Sequence, residues 1–286
     1  LTCSKGMVIS APSLITVASD GTDDSEFGGS ASLSGDLLAV GASYAEAADQ
    51  NDTGAAYLYR VETNDTITYL AKVTASDGVT GDDFGGSVAL SGDLLAVGAE
   101  EVDVGDVDEP GAAYLFRLES NGSVTELAKV TASDGTDDSE FGGSVAISGD
   151  LLAVGADEAN PNGQDDAGAT YLYRLEANGS VTALGKVTAP SVVDDDEFGT
   201  SIALSGDMLA VGADNVDLDG KSNAGAAYVF HLASLHNTPP SDITLSNATV
   251  AENQAQGSVV GHLQVIDPDD PDQNGTYFHE LVWGEG

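Results

Sequence analysis

Apolar and polar positions alternate along this chain in short blocks, and none has the three-to-four spacing of an amphipathic helix. The stretch that begins at Phe84-Gly85-Gly86 shows the pattern. Ser87 to Leu90 is a short β-branched and apolar run, and Ser91-Gly92-Asp93 is a tight turn of hairpin type. Leu94 to Ala99 is an unbroken apolar run, as expected of a strand covered on both faces. An acidic loop at 100–110 follows, then a third strand from Gly111 to Leu118. Asn121-Gly122-Ser123 turns the chain into a fourth strand, in which Val124, Glu126, Ala128 and Val130 are predicted to share one face. The acidic segment Ser133 to Glu140 leads to the next Phe-Gly.

This block recurs without insertion. Phe27, Phe84, Phe141 and Phe198 each open a copy, 57 residues after the one before, and Gly54, Gly111, Gly168 and Gly225 keep the same step. A fixed period means one structural unit stacked on its copies. Four strands at this period fit a propeller blade better than a solenoid turn. The predicted fold is therefore all-β, a β-propeller of four-stranded blades with a truncated β-sandwich segment after it. Gly85, Gly86 and Gly98 are expected where backbones approach closely, and Phe84 between neighbouring sheets. The fourth copy has His231 where the others have Arg, and no fourth strand follows it. Residues 7–19 read as a spare final strand, predicted to complete the last blade and close the ring. The expected domains are the propeller at 7–235, a linker at 236–240 and a partial β-sandwich at 241–286, the chain reading as a piece of a longer protein.

Charge narrows the function classes. There are 48 acids against 8 bases, for a formal charge of −40. Asp outnumbers Glu by 33 to 15, which favours turns and hard-cation ligation over helices. Nucleic acid and anionic membrane are poor partners for such a chain, because polyanion binding needs clustered Lys or Arg. Arg60, Arg117 and Arg174 are repeat-equivalent, as are Lys72, Lys129 and Lys186, and are expected to serve as local ion-pair partners. Cys3 is the single cysteine, so no internal disulfide forms, and Leu1-Thr2-Cys3 faintly suggests a lipoprotein processing site. No apolar run reaches membrane-spanning length.

The Phe-Gly…Gly-Ala units, each followed by Gly-Ala-Ala-Tyr-Leu or a close variant, resemble FG-GAP repeats over roughly residues 13–232. That resemblance implies an integrin α-like β-propeller, usually of seven blades, against four copies here. Integrin repeats hold an Asp-rich calcium loop between the two elements. Here that place holds only Ser-Gly-Asp, so the integrin site does not carry over to Asp36, Asp93, Asp150 or Asp207. The tail, Asn237-Thr-Pro-Pro…Val250-Ala-Glu252-Asn253…Asp267-Pro-Asp269, resembles the opening of a cadherin-like repeat. The resemblance implies calcium ligation by Glu252, Asp267 and Asp269.

Calcium takes six to eight oxygens from acids, amides and carbonyls on turning loops. Asp217, Asp219 and Asn223 have such spacing around Gly220, and Asn160, Asn162 and Asp165 form a weaker version. Asp103, Asp106 and Asp108 occupy the equivalent loop of the second copy, and Asp49 and Asp52 that of the first. The acidic segments before each Phe, such as Asp137-Asp138-Ser139-Glu140, rank below these loops as calcium candidates, and solvated turns are the competing explanation for all of them. Catalysis finds no support: the four histidines lack metal-ligand spacing, no Gly-x-Ser-x-Gly elbow occurs, and the Gly-rich stretches lack the Lys of a phosphate loop. The expected function is that of a non-enzymatic, extracellular or cell-surface adhesion module. Calcium would fix its acidic loops, and a protein or cell-surface ligand would meet them. The alternatives are a self-assembling subunit of a surface layer or filament, and a carbohydrate-binding appendage of a secreted hydrolase.

Overall fold

A computed structural model describes residues 16–18, 20–21, 25–46, 53–64, 66–218 and 220–232, with two further short strands at 242–245 and 263–266. The chain divides into two compact units, Leu1–Phe230 and His231–Gly286.

The first unit holds four antiparallel sheets, one per copy of the repeat, and no α-helix among the described residues. The first sheet is β1 (Ala31–Ser34), β2 (Leu37–Ala42), β3 (Ala55–Val61) and β4 (Ile67–Val73), paired in that order. The second is β5 (Val88–Ser91), β6 (Leu94–Ala99), β7 (Ala112–Leu118) and β8 (Val124–Val130). The third is β9 (Val145–Ser148), β10 (Leu151–Ala156), β11 (Ala169–Leu175) and β12 (Val181–Val187). The fourth has three described strands, β13 (Phe198–Ser205), β14 (Met208–Ala213) and β15 (Ala226–His231). Most of the 7–19 segment predicted to complete it lies outside the described residues. Its described part, Thr16 to Ala18, lies beside the first sheet, where the Val17 carbonyl accepts a hydrogen bond from the Tyr59 hydroxyl at 3.3 Å. In the second unit, β16 (Asp242–Leu245) pairs antiparallel with β17 (Leu263–Ile266).

Successive sheets pack face to face, so the second and third each bury one face against the sheet before and the other against the sheet after. Between the first two sheets, Leu37, Ala39 and Leu58 meet Val88, Leu90, Val97 and Tyr114. Between the second and third, Leu94, Ala96 and Leu115 meet Val145, Ile147, Val154 and Tyr171. This explains the unbroken Leu-Leu-Ala-Val-Gly-Ala runs, since both faces of that strand are covered. Phe84, Phe141 and Phe198 are fully buried at the sheet junctions, as expected, each edge-on to an aromatic of its own third strand, Phe116, Tyr173 and Phe230.

The sheets also touch through backbone. A Cβ on Gly98 would overlap the Gly142 carbonyl of the next sheet, and one on Gly85 the Ala55 carbonyl of the previous sheet. Gly86 departs from the prediction: its nearest neighbours are in its own turn and an adjacent acid, and no opposing sheet reaches it. Serine hydroxyls complete the junction. Ser30, Ser32 and Ser34 accept from the backbone N–H groups of Val88, Leu90 and Gly92 at 2.9–3.0 Å, and the Ser87 hydroxyl donates to the Gly142 carbonyl at 2.6 Å.

The fourth strand corrects another expectation. The pairing register of β8 shifts between Leu115 and Phe116, so Phe116 faces Glu126 while Leu115 faces Ala128. The β-bulge at Leu127 sends Val124 and Glu126 to one face and Ala128 and Val130 to the other. Val124 accordingly packs toward the first sheet and Val130 toward the third. The same shift recurs in β4 and β12.

Candidate functional site

Sheet topology sorts the loops by end. Strands run up and down in sequence order, so the turn between strands one and two and that between three and four share one end of a sheet. The loop between strands two and three, and the connection to the next sheet, share the other end.

At the short-turn end the acids have fixed partners. Asp36, Asp93 and Asp150 pair with Arg60, Arg117 and Arg174 at 3.1, 3.7 and 3.8 Å. These are three of the positions to which the integrin calcium site does not carry over, and the observed partner is a guanidinium. Asn121 and Asn178 build their own turns, each accepting from the backbone and hydroxyl of the Ser two residues on.

At the outer strands a second trio repeats. Lys72, Lys129 and Lys186 pair with Asp20, Asp77 and Asp134 at 2.6–2.8 Å, and Tyr57, Tyr114 and Tyr171 donate to the same carboxylates. The lysine and then the tyrosine hold the Asp20 and Asp134 carboxyls below their usual range, against the effect of burial. The fourth copy has Ser191 at the aspartate position and no described fourth strand to supply the lysine. All six regular-repeat bases are thus occupied by outward-lying acids.

The long-loop end contrasts with this. Glu26, Asp83, Glu140 and Glu197 stand immediately before the four Phe residues, and all have positive φ of 51–54°. Beside them lie the residues that leave strand two, Glu100 and Glu101, Asp157 and Glu158, Asp214 and Asn215. Burial, then repulsion from Glu101 and Glu100, pushes the Asp83 carboxyl up to about 7. Burial, then Glu158 and Asp157, pushes Glu140 up to about 7 as well. Burial raises Glu100, with Asp157 and Glu101 adding to it, and burial followed by Asp214 raises Glu197. The repulsions connect one copy to the next, so the acids form a continuous track across the sheets.

The sequence-predicted ligands of the first unit that are described lie on loops at this same end, with first duties of their own. Asp103 accepts from the Glu109 N–H at 3.1 Å, Asn160 from Asp166 at 2.7 Å and Asp217 from Asn223 at 2.9 Å. Each ties a loop across six residues to a residue of positive φ. Asp106 sits in the tight turn where Val104 and Val107 bond reciprocally, and Asn162 is in a short 3-10 turn with φ of 60°. Asp108 and Asp165 offer their backbone N–H groups to Asp137 and Asp194 of the following connection. The loop of one copy is thereby fastened to the acidic segment of the next.

Asp217 and Asn223 meet acids that spacing alone did not select. Asp194, Asp195, Asp196, Glu197 and Asn215 line a cleft with them of about 420 Å³. Asn215 donates to Glu197, and Asn223 donates to Asn215 at 2.9 Å. Among the described residues, no three His, Cys, Asp or Glu side chains already converge as a metal site. Asp49, Asp52, Asp219, Glu252, Asp267 and Asp269 lie outside the described residues, or outside their described side chains. Among the described residues no helix is long and apolar enough to cross a membrane.

The pH dependence of this end follows in sign. Asp83 and Glu140 bind protons better folded than unfolded, so their contribution is fully present below the ordinary carboxylate pKa of ~4 and is lost as pH rises to about 7. Asp20 and Asp134 are shifted the other way, and their contribution is lost as pH falls below ~4. In EDTA the melting midpoint is therefore expected to rise as pH is lowered from about 8 to about 5.5, then to fall in stronger acid. A midpoint that drops steadily over the first interval would contradict the raised carboxyls.

The family comparison agrees with the repeat pattern. The family model for the FG-GAP repeat matches residues 15–59, 68–116, 124–173 and 181–230. Among solved structures, the chain aligns with Sqt1 from Chaetomium thermophilum at 14% identity and a TM-score of 0.45, over 74% of this chain and 45% of that one. A search of curated proteins found no match.

Proposed function

The chain belongs to the FG-GAP repeat family, and from that premise we propose that it is a non-catalytic, extracellular adhesion or protein-interaction module that depends on calcium. One observation carries the proposal. Four copies of one strand framework hold loops of different sequence at a single end, beside a continuous track of mutually repelling carboxylates. Rigid strands with variable loops are the usual arrangement for recognition. A protein or cell-surface ligand would meet that end.

Calcium is the cation such a track favours. It accepts carboxylates, side-chain amides and backbone carbonyls in a flexible shell, and it replaces the protons that burial favours on Asp83 and Glu140. The acidic cleft around Glu197, Asp217 and Asn223 offers all three oxygen types. The 241–286 segment would extend the module as a cadherin-like stalk, with Glu252, Asp267 and Asp269 as its calcium ligands.

Calorimetric titration tests the proposal. Calcium is expected to bind with Kd of ~0.1–1 mM, as extracellular modules do. Asp217→Asn and Glu197→Gln are expected to weaken it several-fold, while Asp93→Asn, at the opposite end, leaves it unchanged. Binding that is absent, or equal for magnesium and calcium, would sink the calcium-dependent reading.

A further inference from the structure

Among the described residues, the two ends of the sheet array expose apolar positions that the internal junctions bury. Val229 in β15 is 65% exposed, while its repeat equivalents Leu58, Leu115 and Leu172 are 4% exposed or less. Met208 is 41% exposed against at most 8% for Leu37, Leu94 and Leu151. These positions form the face that each earlier sheet buries against its successor. At the other end Leu33 in β1 is 67% exposed, while Leu90 and Ile147 are 8% and 7%. That position lies on the face each later sheet buries against its predecessor. Within one chain, therefore, the first and fourth sheets do not cover each other at these residues.

We propose that the free face of the fourth sheet docks the first sheet of a second copy, head to tail. The internal junctions are the template. Ser205 stands where Ser34, Ser91 and Ser148 accept from Gly92, Gly149 and Gly206 of the following sheet, and Gly35 is the first-sheet counterpart of those glycines. Ser201 stands where Ser87 and Ser144 donate to the Gly142 and Gly199 carbonyls, and Gly28 is their counterpart. Gly212 stands where Gly41, Gly98 and Gly155 admit a carbonyl of the next sheet, yet among the described residues a Cβ there would meet Ser201 of its own sheet first. A shallow hollow lined by Ser201, Ile202, Ala203, Ala210, Val211, Gly212 and Ala227 lies in that face. Leu33 of a second copy would enter it as Leu90 enters the first junction.

The docked surfaces differ, so the contact is heterologous and generates a closed ring or an open filament. Two copies closed on each other would hold about eight sheets, within the roughly four to eight blades of known propellers. The contact does not depend on calcium or on the proposed ligand, because the faces lie between the two loop ends.

Sedimentation velocity over a range of concentrations tests it. The full chain is expected to rise from the mass of one copy to that of two or more. Val229→Asp and Leu33→Asp each place a charge at an exposed site, so each is expected to keep its melt and remain a single copy. Mixed together, they retain one intact junction between them and are expected to form a pair. A full chain that stays at one copy at every concentration would overturn the proposal, ring closure within the chain included. So would a mixture that fails to pair.

Discussion

Gly98→Ala is expected to cost roughly 3 kcal/mol, at the upper end of what overpacking a tight interior costs. For a domain of this size that lowers the melting midpoint on the order of 6–12 °C. The added methyl has no room, since it would overlap the Gly142 carbonyl and the Ser87 hydroxyl. The first is backbone of the neighbouring sheet and moves only if the sheets part. Gly212→Ala supplies the control, because it lies in the same Leu-Ala-Val-Gly-Ala context but in the fourth sheet, at the end of the array. A Cβ there meets only Ser201, and that side chain can rotate. In dilute solution Gly212→Ala is expected to cost ~1 kcal/mol or less. Thermal melts of both variants check this. Equal losses would mean that the fourth sheet is covered as fully as the second.

Phe141→Ala is expected to be at least as damaging, at roughly 3–5 kcal/mol. The ring is fully buried and sits edge-on to Tyr171 and Tyr173, with centroids 5.4 and 6.1 Å away. Removing it opens a cavity that two stiff aromatic neighbours cannot fill. It also loosens the junction between the second and third sheets, in the middle of the array, so cooperativity is expected to fall with the midpoint. Phe27 is the comparison. It makes the same ring contacts, with Tyr57 and Tyr59, but is only half-buried because no described sheet precedes it. Phe27→Ala should cost clearly less. Denaturant unfolding of the pair measures the difference, and a Phe27→Ala loss equal to that of Phe141→Ala would contradict the open first face.

The repeat itself was legible because a constant period leaves no freedom in strand order, and Phe84, Gly85, Gly98 and the Leu-Leu-Ala-Val run kept their predicted roles, Gly86 excepted. The bulge at Leu127 was not legible from alternation alone. Val124, Glu126, Ala128 and Val130 look like one unbroken face, and the sole signal is apolar Leu127 between them. The bare ends were hidden for a different reason. Val229 and Met208 conserve the apolar character of Leu115 and Leu94, and exposure depends on whether a neighbour is present.

The candidate site was half legible. Loop spacing found Asp103, Asn160 and Asp217, whose side chains tie their own loops, and ranked the acidic segments before each Phe below them. In a chain with 48 acids another carboxylate carries little information. The usable signal was its register: an acid at Glu26, Asp83, Glu140 and Glu197 in every copy, at the one point where the chain turns into a new sheet.

The most direct test of the functional account is a melt of the chain at about pH 8 in EDTA, in millimolar calcium and in magnesium. At ten to a hundred times Kd, each calcium site adds roughly 1.4–2.7 kcal/mol. The account predicts a calcium-specific rise of several degrees, reduced in Glu197→Gln and Asp217→Asn. An unchanged midpoint, or an equal rise with magnesium, would mean that the carboxylate track only solvates this end, and would contradict a calcium-dependent module.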